Sequence, residues 1–126
     1  MGLVHHELCF GCGRSNLFGL LLEVVQGAPG AVAGRCFIKQ DHQGPDRGRA
    51  HEGLVGAALL EAMALACGLE ARAVSIEFSL SAPAAVGVFL KVEARVTERD
   101  GSTAYATATA TADQRMVAQA RGSFRS

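Results

Sequence analysis

Gly53-Leu54-Val55-Gly56-Ala57-Ala58-Leu59-Leu60-Glu61-Ala62-Met63-Ala64-Leu65-Ala66-Cys67-Gly68 decides how this chain must fold. Ala, Leu and Met favour helix, and Gly68 supplies a C-terminal stop, so a helix is predicted over about 53–67. Apolar residues fall on every face of it, and Glu61 is its only charged side chain. A helix apolar all round belongs in a core rather than on a surface, so the rest of the chain has to wrap it. The run is too short, and Glu61 interrupts it, for a span needing roughly 20 apolar residues.

The wrapper follows on the C-terminal side. Arg72 to Leu80, Val88 to Glu98, Thr103 to Thr111 and Met116 to Phe124 show period-two alternation or β-branched enrichment, with turn signals between them. In Thr103-Ala104-Tyr105-Ala106-Thr107-Ala108-Thr109-Ala110-Thr111 a small residue alternates with Thr or Tyr. Successive side chains of a strand point to opposite faces, so the Ala side is expected to be the close-packed one. Short turns join these four strands in a pattern suited to an antiparallel meander. On the N-terminal side, Phe18 to Val25 and Ala31 to Ile38 flank Gly27-Ala28-Pro29-Gly30 and read as a hairpin. Asp41 to His51 is polar, rich in Gly and Pro, and reads as a long loop ending at the helix; residues 1–16 read as a loop segment. The expectation is an α+β fold, one antiparallel sheet around one central helix, in a single domain spanning 1–126. Tyr105 and the Phe residues are expected in the core.

Composition narrows the function classes. Lys plus Arg and Asp plus Glu both count 12, giving zero formal net charge and no positive field for a nucleic acid partner. With no membrane-spanning segment and neither a basic start nor an apolar stretch in Met1 to Glu7, no membrane partner and a cytoplasmic location are expected. Four cysteines (Cys9, Cys12, Cys36, Cys67) are too few for a disulfide scaffold and are expected as free thiols.

Order and motifs together resemble the hot-dog fold, and within it the PaaI-like acyl-CoA thioesterases, over nearly the whole chain. Cys9-Phe10-Gly11-Cys12-Gly13 followed by Asn16-Leu17-Phe18-Gly19-Leu20 is similar to the opening of the branch that carries a CFGCG motif. Gln43-Gly44 through His51-Glu52-Gly53 resembles its loop ending in His-Gly-Gly, and Leu59-Leu60-Glu61-Ala62-Met63 its Leu-Leu-Asp-Glu-Ala-Met helix pattern. The resemblance implies hydrolysis of an acyl-CoA thioester to free acid and CoA at a dimer interface, in a homodimer or homotetramer, with no cofactor. It also implies that first-turn N–H groups, here Glu52 with Gly53 beside it, polarise the acyl carbonyl, and that a helix carboxylate activates water. Such N–H groups lack intrahelical partners and carry partial positive charge, which suits a developing oxyanion.

Two departures bear on the acid. Counted from His51, the family's catalytic Asp or Glu falls at Leu60, one residue and about 100° of helix before Glu61. The second Gly of the family's His-Gly-Gly is Glu52 here. Glu61 is therefore a candidate acid or a paired structural charge, and Glu52 a candidate displaced acid. Loss of the acid would leave an acyl-CoA or small-molecule binding protein instead of an enzyme. His51 reads as a residue fixing the loop-to-helix turn, with proton transfer as the other role. Gln43 could orient water or thioester or brace its loop, with Gly44 beside it at the substrate. Asn16 could reach the substrate or close a turn. Cys9-x-x-Cys12 with His5 or His6 offers zinc-type ligands, but only three of them, with His42 a distant fourth, so no metal site is expected.

Overall fold

The computed structural model describes residues 2–126; Met1 of the predicted opening loop lies outside them. Helix α1 spans Glu52–Cys67, with ten of its sixteen residues buried. Its apolar surface packs against five strands of a six-stranded sheet: β2 (Ala31–Phe37), β3 (Arg72–Leu80), β4 (Phe89–Asp100), β5 (Thr103–Ala112) and β6 (Arg115–Arg125). The sixth, β1, spans Glu23–Gln26. Every neighbouring pair is antiparallel. This is the α+β hot-dog arrangement, a sheet curled around one central helix.

The threonine-alanine strand behaves as its alternation requires. Ala104, Ala106, Ala108, Ala110 and Ala112 are all buried, whereas Thr103, Thr107, Thr109 and Thr111 are half-buried. Small side chains at alternate positions let the helix approach the sheet closely, and Leu59 and Met63 fill the space between them with no exposed surface.

Three expectations need correction. The sheet order is β1-β2-β4-β5-β6-β3, so β3 does not continue into a four-strand meander but pairs with β6 at the far edge. The segment after β3 bonds instead to the loop before the helix, through Ala50 N–H to Ala84 O (2.8 Å) and Val86 N–H to Gly48 O (2.9 Å). That exchange carries the chain across the sheet end without a tight turn. Phe18 to Leu22 is not strand. The N–H groups of Leu20 and Leu22 go to Phe10 O and Gly11 O, and Leu21 takes φ 53°, which breaks an extended run. Finally, among the aromatics only Phe124 is buried, with Tyr105 and the other five Phe exposed to 39% or more. With alanines lining the helix, rings such as Phe37 and Phe89 pack edge-to-face with each other (centroids 5.3 Å apart) rather than beneath it.

Candidate functional site

Two groups of polar residues meet helix α1 at different heights. The first surrounds its amino end. His51 is the N-cap: its Nδ1 accepts the Gly53 N–H at 2.8 Å, a task usually given to a short polar side chain. Leu54 N–H donates to His51 O, and the Glu52 N–H has no partner among the described residues. Glu52 and Gly53 are exposed. The loop beneath is tied at both ends of Gln43, whose Nε2 donates to Gln40 O (2.8 Å) and whose Oε1 accepts from Gly48 N–H (2.6 Å). Gly44 lies against His51 so closely that an added Cβ would come within 2.9 Å of its Cα. Gln43, Gly44, His51, Glu52 and Gly53 thus share one locale.

Asn16 closes the turn of the opening loop, donating from Nδ2 to Leu8 O (3.1 Å) and accepting at Oδ1 from Phe18 N–H (3.2 Å).

The second group is centred on Glu61, nine residues along the helix from Glu52 and about 13.5 Å further along its axis. Within one chain it is therefore out of hydrogen-bond reach of a carbonyl held at the Glu52 N–H. Its Oε2 lies 2.9 Å from His5 Nδ1 and 3.4 Å from Cys9 Sγ. Cys12 Sγ lies 3.4 Å from the same His5 Nδ1 and accepts the His5 backbone N–H at 3.2 Å. Gly11 lies directly over Glu61: a Cβ there would overlap its carboxyl and force that side chain to move. Burial first, and then the neighbouring Glu61, push the Cys12 thiol well above its ordinary value, so it holds its proton.

Sequence reasoning missed this convergence. It paired Cys9 and Cys12 with His5 or His6 and looked to His42 for a fourth ligand. His42 belongs to the loop near Lys39, while His6 Nδ1 accepts the Leu8 N–H. The available signal was the lone helix acid, which needs a partner and has one in His5. A cavity of about 340 Å³ also lies under the opening loop, between Leu22, Cys36 and Phe89; Cys12 lines it, but none of the residues predicted for thioester chemistry does.

No family model and no curated protein sequence matches this chain. Its structure is similar to that of the Escherichia coli PaaI protein from the phenylacetic acid degradation operon (TM-score 0.78, 19% identity, covering 84% of this chain and 79% of that one). A mutant of the phenylacetic acid degradation protein PaaI from Thermus thermophilus matches with TM-score 0.76 and 25% identity over 82% of this chain and 91% of that one. Zebra fish thioesterase superfamily member 2 matches with TM-score 0.76 and 20% identity over 90% and 86%. The chain therefore has the hot-dog fold, and its structural neighbours include PaaI proteins and thioesterase-superfamily proteins.

Proposed function

We propose that this protein hydrolyses acyl-CoA thioesters at the amino end of α1, in a site completed by a second copy of the chain. The observation that carries the reading is the unpartnered Glu52 N–H in the first turn of an otherwise buried helix, within a fold shared with thioesterase-superfamily proteins. Because His51 takes the Gly53 N–H, the Glu52 N–H is the donor free to meet the acyl oxygen.

Glu61 is held by His5 and Cys9, so the reading assigns water activation to Glu52. Its carboxylate takes a proton as water attacks the carbonyl carbon, and becomes neutral as the oxyanion forms beside it. That timing removes the repulsion an ionised Glu52 would otherwise exert on the oxyanion. The C–S bond then breaks and Glu52 returns the proton to the departing sulfur, leaving free acid and CoA.

Glu52 and Gly53 are exposed in one chain, and such a site gains from a second wall that excludes water. Edge strand β3 suits that role: it pairs on one side only, and Val74, Phe78 and Leu80 leave apolar surface beside it.

Purified protein offered short, medium, long and aromatic acyl-CoA thioesters with a thiol reagent is expected to release free CoA from at least one. Silence across the panel, with no ligand-induced rise in melting temperature, would sink the proposal. A rise in melting temperature without thiol release would instead establish the binding protein that Leu60, at the family's acid position, favours.

A further inference from the structure

The group around Glu61 has the composition and shape of a metal site. His5, Cys9, Cys12 and Glu61 each place one ligand atom so that all four lie within 4.8 Å of one another. Bonds of about 2.3 Å to sulfur and about 2.0–2.2 Å to nitrogen or oxygen, arranged tetrahedrally, put ligand atoms about 3.3–3.8 Å apart. The separations here are 3.7 Å (His5 Nδ1 to Cys9 Sγ), 3.4 Å (His5 Nδ1 to Cys12 Sγ), 3.4 Å (Cys9 Sγ to Glu61 Oε2) and 2.9 Å (His5 Nδ1 to Glu61 Oε2). Of the tetrahedron's six edges three match, the His5–Glu61 edge lengthens by a few tenths of an ångström when an ion replaces the hydrogen bond, and the two from Cys12 Sγ to Cys9 and to Glu61 lie within 4.8 Å. We propose that these four side chains form a closed zinc site that fastens the amino-terminal loop onto helix α1.

Two further features fit a metal site. The His5 backbone N–H points at Cys12 Sγ, the kind of outer-shell hydrogen bond that orients and stabilises a ligating thiolate. The turn from Cys9 to Gly13 closes through Gly13 N–H to Cys9 O at 2.9 Å, and Gly13 sits where any Cβ would strike the Cys9 backbone. A glycine on each side of Cys12 therefore lets both sulfurs face the helix carboxylate.

Two thiols select against magnesium and calcium, and a mixed set of sulfur, nitrogen and oxygen ligands in tetrahedral array suits Zn²⁺. On binding, Cys9 and Cys12 release their two thiol protons to solvent, neutral His5 coordinates through Nδ1, and Glu61 coordinates as carboxylate. Affinity consequently rises with pH. Four protein ligands leave no open position for substrate, so the ion is structural and the site stands independently of thioester turnover.

The test is metal analysis of the full chain, expressed without chelator, incubated with Zn²⁺ and freed of excess by gel filtration. One zinc per chain is expected, with a fall in melting temperature on chelation that zinc reverses. Cobalt in its place should give the strong visible bands of a tetrahedral thiolate site. Cys9→Ser and His5→Gln are expected to lose the ion while keeping the far-ultraviolet circular dichroism of the parent. Zinc far below one per chain would overturn the site, as would retention of a full equivalent by both variants. An intact mass two hydrogens short would do the same, marking a Cys9–Cys12 disulfide. Metal-free protein that releases CoA would refute the site alone, and zinc-loaded protein silent on thioesters would refute only the proposed activity.

Discussion

His42 is buried, accepts the Lys39 N–H at Nδ1 (3.0 Å), and leaves Nε2 without a partner. Burial, and then the charge of Lys39, lower its pKa below the ordinary 6.5. In the unfolded chain His42 takes up a proton as pH falls through 6.5, whereas in the fold it stays neutral to lower pH. The unfolded state then binds more protons, and stability is lost on acidification below that value. Melting temperature is expected to drop from about pH 7 to about pH 5, and His42→Gln to flatten that part of the profile; an equally steep profile in the variant would contradict the assignment. Glu61 shows what a single residue's reading lacks. Its isolation on an apolar helix announces a required partner, but that partner, His5, lies 56 positions away, and no local pattern names it. The cap at His51 was legible as a turn-fixing histidine, whereas its capture of the Gly53 N–H was not, because cap geometry depends on φ and ψ.

At the scale of elements, period-two alternation located β4 to β6 well because each has a buried face and shows it in composition; β3 alternates as clearly at Val74, Ile76, Phe78 and Leu80, yet in the single chain only Ile76 is even half-buried. The same signal could not place β3 at the sheet edge, since alternation says which face is inward and nothing about which neighbour is paired. The apolar run beside the Gly27–Gly30 turn signal, in contrast, made Phe18 to Leu22 read as strand: those residues are buried at Leu20 and Leu22, but their backbone bonds go to the opening loop. The edge position of β3 has a consequence for assembly. Val74→Lys together with Leu80→Lys puts charge on its apolar surface, 59% and 48% exposed in the single chain. Light scattering is expected to show a dimer or larger for the parent and a lower mass for the double variant. A monomeric parent, or an unchanged mass, would contradict β3 as the contact.

In the whole molecule, one buried cluster runs from Cys12 in the opening loop through α1 to Phe124 in the last strand. Its centre was legible because a helix apolar on all sides has few places to go. Its periphery was not, because the opening loop docks through contacts that span half the chain. The resulting molecule separates two tasks along one helix: the open first turn faces the proposed thioester, and Glu61, two and a half turns further on, holds the loop. The division stands or falls on which carboxylate performs the chemistry. The direct measurement is kcat/KM of Glu52→Gln on the acyl-CoA thioester the parent turns over best. Glu52→Gln keeps the side chain's shape and the backbone N–H but removes the base, so a loss of about 10²-fold or more at unchanged melting temperature is expected. Full turnover by Glu52→Gln would contradict the assignment.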